Sequence, residues 1–106
     1  MRIFISQPMR DKTAQEIEDE QNEISEFLTK KYGEKIDLEF APIITQFNDN
    51  DIDFDNVSDC LVWLSSSCWS LSVADAAYFT DDWDMYKINQ IEHAICQIFG
   101  IEIIHD

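Results

Sequence analysis

One carboxylate in this sequence lies where a folded chain rarely leaves a charge. Glu92 belongs to the segment 86–100, in which apolar residues recur at the spacing of a helix that packs on a sheet: Ile88, Ile91, Ile95, Ile98 and Phe99. Glu92 projects within about 40° of Ile88 around this helix, so it should point inward, whereas His93 should face solvent. A buried carboxylate is costly unless it is hydrogen-bonded, protonated or open to a pocket. Glu92 is therefore either a site residue or an edge residue whose head reaches water.

Two cationic residues follow the first predicted strand. Arg10 and Lys12 come just before the start of the first predicted helix. Because helix N-termini attract anions, we expect these side chains and the first N–H groups of the helix to hold a phosphate. The chain has only 2 glycines and contains neither G-x-G-x-x-G nor a P-loop lysine motif, which excludes a dinucleotide or P-loop site.

An acidic loop, TDDWD at 80–84, leads into the Glu92 helix. Trp83 in this loop, or Phe4 in the first strand, offers an aromatic wall for a base. The pattern suits a nucleotide, with phosphate at one end, a stacked base at the other and a sugar carbon near Glu92, which could act as nucleophile or base.

Alternating strand and helix patterns predict how these residues are positioned. Strands are expected at 2–6, 35–40, 73–79 and 101–104, and helices at 13–32, 56–72 and 86–100. Thr13 and Glu16 form a capping box at the first helix, and Pro42 ends the second strand. The order predicts an α/β three-layer sandwich with a small, four-stranded, mostly parallel sheet of flavodoxin- or Rossmann-like type. Ligands of such sheets bind beyond the carboxyl ends of the strands, where 7–12, 80–84 and the start of the Glu92 helix converge.

Composition narrows the class of protein. The 106 residues predict a single domain, 1–106, and a net charge of −15 disfavours direct binding to nucleic acid or to an anionic membrane. The chain shows neither a signal peptide nor a membrane span, which predicts a cytoplasmic location. Its 3 cysteines lack CxxC spacing and predict reduced thiols, with no metal site and no cofactor. Segment 43–56 should either flank a pocket or be disordered. Trp63 and Trp69 should either form a subunit interface or pack under loops.

The two ends of the chain resemble a known group of proteins. RIFISQPMR at 2–10 and ADAAYF…W…IEHAICQIFGIEII at 74–104 look like a family of short, mostly phage-associated proteins within the nucleoside 2-deoxyribosyltransferase-like superfamily. The resemblance implies that Glu92 attacks the anomeric carbon and passes the sugar to another base or to water. It also implies that loop 6–10 binds phosphate through Arg10, that an acid of 81–84 serves as acid/base, and that subunits complete each other's sites.

The sequence departs from this superfamily at two positions. Phe4 replaces a tyrosine that orients the nucleophile, and Ser67 stands where an acid is usual. The predicted function is nucleotide binding by a homodimer or higher homo-oligomer, with N-glycosidase (hydrolase) or deoxyribosyltransferase activity on nucleoside monophosphates. A non-catalytic protein that sequesters nucleotides and an acidic DNA mimic are the alternatives. The predicted catalytic residues are Glu92, Asp81, Asp82 and Asp84. The predicted substrate-binding residues are Phe4, Ser6, Gln7, Pro8, Met9, Arg10, Lys12, Ser67 and Trp83.

Overall fold

A computed structural model describes residues 1–40 and 53–105. Along the chain lie β1 (Arg2–Ser6), α1 (Ala14–Tyr32), β2 (Asp37–Phe40), α2 (Val57–Ser72), β3 (Ala76–Phe79), a 3₁₀ turn (Trp83–Met85), α3 (Lys87–Phe99) and β4 (Glu102–His105). Every predicted element is present, although β3 is shorter than predicted because Val73 caps α2 and pairing with β1 begins only at Ala76. The predicted role of Pro42 and most of segment 43–56 lie outside the described residues.

The four strands form one parallel sheet in the order β2-β1-β3-β4. This confirms the predicted α/β sandwich, while the flavodoxin- or Rossmann-like label remains a prediction. β1 lies between two strands, as its continuous apolar run predicts, and Ile3, Phe4 and Ile5 are buried. β2 and β4 are the edges of the sheet.

Alternation along β1 builds a core on each side of the sheet. Ile3 and Ile5 point to one side and pack in a cluster with Ile24 and Leu28 of α1. Phe4 points to the other side, where it packs with Leu71 of α2 and Cys96 of α3. The three layers are therefore α1, the sheet, and the pair α2 and α3.

The buried face of α3 differs from the predicted stripe. Ile98 and Phe99 are each 76% exposed, and Ile91 is also exposed. The helix instead buries a line that includes Glu92 and His93, so the expectation that His93 faces solvent is wrong. The reason is that both polar side chains find partners under the helix: a hydroxyl for Glu92 and aromatic rings for His93.

The two tryptophans of α2 have different surroundings. Trp63 is buried and packs against Phe54 with ring centroids 5.5 Å apart. It therefore packs under a neighbouring segment. Trp69 is exposed, and the interface interpretation stays a prediction for that residue. Within the described parts of the chain, no helix combines the length and apolarity needed to cross a membrane.

The capping box at α1 gives a direct test of the fold. Thr13 Oγ1 accepts from Glu16 N at 3.1 Å, and Glu16 Oε1 accepts from Thr13 N at 3.2 Å. Thr13→Ala should lower the free energy of unfolding by about 1 kcal/mol, because the backbone N–H of Glu16 loses its partner. Urea denaturation measures this loss. Thr29→Ala, an exposed site within α1, is the control and should leave stability unchanged or slightly raised; equal losses in both variants would contradict a capping role.

Candidate functional site

The main cavity opens at the carboxyl end of β1, between the N-terminal turns of α2 and α3. It encloses about 520 Å³, within the usual range for small-ligand sites. The loop after β1, the segment before α2 and the two helix starts supply its lining, which includes Gln7, Met9, Arg10, Asp11, Phe54, Asp55, Asn56, Val57, Leu61, Lys87, Ile88 and Asn89. Its position agrees with the expected ligand site of a parallel sheet.

Glu92 lies one helical turn behind this lining and is only 1% exposed. Ser6, the last residue of β1, donates from Oγ to Glu92 Oε1 at 2.8 Å. Asn89 donates in turn from Nδ2 to Ser6 Oγ at 2.9 Å. Because Asn89 also lines the cavity, this chain of hydrogen bonds connects the ligand space with the buried carboxyl group.

The second oxygen of Glu92 is left without a partner. Ser67 of α2 lies close to the carboxyl group, but its hydroxyl donates to the backbone oxygen of Trp63 at 3.3 Å. Glu92 Oε2 has no hydrogen-bond partner among the described residues and is closed to solvent. Such an orphaned buried oxygen is uncommon and marks a group that a proton or a ligand completes.

Burial raises the pKa of Glu92 to about 7, and the neighbouring Ser67 and Ser6 hydroxyls limit the rise. Desolvation disfavours the charged form, and no cationic side chain offsets it here. The carboxyl group is therefore mostly neutral below neutral pH. The ionised carboxylate that could act as a nucleophile becomes the major form only above neutral pH.

Arg10 reaches across the cavity mouth. Its guanidinium donates to Asp55 Oδ1 at 2.8 Å, which joins the loop after β1 to the segment before α2. The hydrogen bond with Asp55 and its charge raise the pKa of Arg10, and the charges of Asp11 and Asp53 act in the same direction.

Lys12 points to the other side of the sheet. Asp11 between them has a φ of 63°, a left-handed conformation that Asp tolerates better than most residues, and this turn separates the two cations. Lys12 Nζ lies 3.1 Å from Asp82 Oδ2 and 3.4 Å from Glu20 Oε1. Burial lowers the pKa of Lys12, but these carboxylates outweigh burial and raise it.

The acidic loop 80–84 does not line the main cavity. Asp81 and Asp82 border a second cavity of about 370 Å³ on the α1 side, together with Glu20 and Glu23. Burial favours a raised pKa for Asp82, but hydrogen bonds from Thr80 and Lys12 prevail and lower it. Asp84 is exposed, and its backbone oxygen accepts from Gln90. The structure thus does not bring the predicted acid/base residues together with the main cavity.

Trp83 is also placed elsewhere. Its ring stacks on His93 with centroids 3.8 Å apart and planes 6° from parallel, and Phe79 meets His93 edge-on at 4.8 Å. Burial lowers the pKa of His93, the charge of His105 lowers it further, and Gln97 opposes the change. Trp83 therefore serves an aromatic cluster at the end of β3.

The predicted substrate-binding residues divide into three groups. Gln7, Met9 and Arg10 line the main cavity. Ser6 and Ser67 surround Glu92. Phe4 and Pro8 are fully buried, and Lys12 and Trp83 have the partners described above. Phe4 is a core residue and no aromatic wall.

Sequence reasoning missed Asn89 and Asp55. Asn89 had a detectable signal, since it precedes Glu92 by three residues and a polar side chain at that spacing shares the inward face. Asp55 had none, because it is one of several acids in an aperiodic segment and only the fold pairs it with Arg10.

Glu92 should make stability depend on pH in a defined direction. Its pKa is raised from 4.5 to about 7 on folding, so the stabilisation is complete below pH 4.5 and is lost as pH rises through 7. Wild type should lose about 3 kcal/mol more unfolding free energy than Glu92→Gln between pH 4.5 and 8.5. Urea denaturation across this range measures the difference in slope.

The exposed Glu102 on β4 provides the control for that measurement. Glu102→Gln should follow the wild-type pH dependence, which includes the general effect of a net charge of −15. If the unfolding free energies of wild type and Glu92→Gln changed equally with pH, the raised pKa of Glu92 would be contradicted.

Comparison with known proteins adds no relative to this geometry. No protein-family model, curated protein or solved structure matches the chain. Membership of the deoxyribosyltransferase-like superfamily accordingly stays a prediction carried by the residues quoted above.

Proposed function

We propose that the protein binds a nucleoside or nucleotide in the main cavity. The observation that carries this proposal is the mixed lining of the cavity, which combines apolar side chains with amides. Val57, Leu61 and Ile88 form apolar surface suited to a base, while Asn56 and Asn89 offer amides for sugar hydroxyls.

Two further observations support a ligand of this kind. The cavity lies where the resemblance to deoxyribosyltransferase-like proteins leads one to expect the nucleoside. The hydrogen bonds from Asn89 to Ser6 and from Ser6 to Glu92 also fix the Asn89 side chain at the cavity lining, since all three side chains are buried. Binding without turnover is the simplest form of the proposal, because Glu92 is closed to solvent and half-protonated near pH 7.

Cleavage of the N-glycosidic bond is a second candidate, favoured by the unpartnered Glu92 Oε2. In that reaction Oε2 would bond to the anomeric carbon as the bond to the base breaks, and the base would take a proton from an acid. Water would then hydrolyse the glycosyl ester. Asp11 lines the cavity and is better placed as an acid than Asp81, Asp82 or Asp84. Side chains of the α3 start must move before a sugar reaches Oε2.

We also propose that the protein is a homodimer through the outer surface of α2 and α3. This surface, called the α2–α3 apolar face, exposes Trp69, Ile98 and Phe99, none of which lines the main cavity. α2 carries one charged residue, Asp59, whereas α1 carries six acids. On a chain with a net charge of −15, the uncharged face is where two copies repel least and bury most apolar area.

The three unpaired cysteines favour a reducing, cytoplasmic location.

Calorimetry with four deoxynucleosides and their 5′-monophosphates tests ligand binding. We expect saturable heat with at least one compound. Leu61→Trp should bind that compound at least tenfold more weakly, because the larger indole takes up space in the cavity that Leu61 lines. Val73→Trp, an exposed site outside the cavity, should bind as wild type does. Heat from none of the eight compounds would contradict the proposal. Chromatography of the same samples detects released base, which Glu92→Gln should abolish if cleavage occurs.

Sedimentation equilibrium tests the dimer. Wild type should sediment as a dimer, and Ile98→Glu should shift it toward monomer because a carboxylate enters the α2–α3 apolar face. Ile98 does not line the cavity, so ligand binding need not be altered directly. Thr29→Glu adds the same charge on α1 and should leave the dimer intact. A monomeric wild type, or an Ile98→Glu variant as dimeric as wild type, would contradict this interface.

A further inference from the structure

The groups expected to hold a phosphate are already occupied by carboxylates of the chain itself. Arg10 is bound by Asp55, and Lys12 by Asp82 and Glu20. Before α1, the Glu16 carboxylate also accepts from the backbone N–H of Thr13. An incoming phosphate would therefore compete with internal anions at each of these points.

Asp55 is held in place on Arg10 by its own segment. Its backbone N–H donates to Asp53 Oδ1 at 2.9 Å, and the backbone N–H of Asp53 donates to Asp59 Oδ2 at 3.0 Å. Asn56 caps α2 by accepting from Asp59 N at 3.0 Å. These bonds set the turn that aims the Asp55 carboxylate at the guanidinium.

The charges around the cavity mouth are unfavourable for a further anion. Arg10 faces Asp55 at hydrogen-bond distance, with Asp11 and Asp53 close enough to act on it. On the α2 side, burial and then the charges of Asp59, Asp53 and Asp55 raise the pKa of the Cys60 thiol, opposed in part by Lys87. Arg10 and Lys87 at the mouth thus lie among four acidic side chains: Asp11, Asp53, Asp55 and Asp59.

Resting on the proposed function, we propose that Asp55 is a built-in surrogate for phosphate on Arg10, and that the cavity selects an uncharged nucleoside over its 5′-monophosphate. A monophosphate must displace Asp55 from Arg10. The freed Asp55 then lies unpaired beside a dianion, with Asp11 and Asp53 nearby, and like charges at such distances repel strongly. A nucleoside leaves the ion pair intact and meets no such penalty.

Asp55→Asn tests this selection, because it keeps the size of the side chain and removes its charge. The side chain is 74% exposed, so the substitution does not disturb a core. Calorimetry with deoxynucleosides and their 5′-monophosphates should show wild type binding the nucleoside at least tenfold more tightly. In Asp55→Asn, affinity for the monophosphate should rise about tenfold while affinity for the nucleoside changes less than twofold.

Two controls separate the proposed role from a general charge effect. Asp37→Asn makes the same change in net charge at the opposite end of the sheet and should leave the preference unchanged. Arg10→Ala combined with Asp55→Asn should remove the gain for the monophosphate, since the freed guanidinium provides it. A monophosphate that binds wild type as tightly as its nucleoside would overturn the selection, and so would a preference unchanged by Asp55→Asn.

Inorganic phosphate supplies a test that does not depend on nucleosides. Titrated into Asp55→Asn, phosphate should shift the amide NMR signals of Asn56 and Val57, and in wild type it should not. Equal shifts in both proteins, or shifts in neither, would overturn the surrogate role of Asp55. If no nucleoside or monophosphate binds any variant, the proposed function and the nucleoside selection fail together, while the phosphate titration decides the role of Asp55 separately.

Discussion

The hydrogen bond between Ser6 and Glu92 is the interaction on which the site depends. It joins the end of the central strand to the middle of α3 across 86 residues of sequence. A carboxyl group buried at this depth is destabilising when charged, so its neighbours must supply hydrogen bonds or its proton must stay. Ser6, which itself accepts from Asn89, supplies a hydrogen bond, and the pKa of about 7 reflects the retained proton. The rotation of α3 on the sheet, and with it the shape of the cavity, follows from satisfying this group.

Much of the fold could be predicted because its determinants are local. The apolar run of β1 placed it inside a parallel sheet, and Thr13 with Glu16 fixed the start of α1. The rotation of α3 could not be predicted in this way. Apolar periodicity favoured Ile91 and Ile98, but the helix turned His93 inward together with Glu92, since their partners come from β1 and from the turn before α3. Tertiary contacts overrode a local preference, and the apolar residues left outside became a surface.

The charged residues of the site show a different limit. Glu92 could be identified as buried from its neighbours in one helix. The partners of Arg10 and Lys12 could not, because the chain offers 22 acids and adjacent sequence does not determine which of them face these cations. A single left-handed residue, Asp11, sends the two cations to opposite sides of the sheet. Two side chains that looked like one phosphate clamp thus belong to separate networks.

The edges of the sheet have a consequence for how the protein behaves in concentrated solution. β2 and β4 are each only four residues long and carry Asp37, Glu39 and Glu102 along their length. Unpaired strand edges normally invite another strand to add, and short, charged edges resist this. The sheet is therefore closed to lateral growth by electrostatic repulsion. That protection belongs to the ionised carboxylates, and it weakens as they take up protons near the isoelectric point of about 4.1.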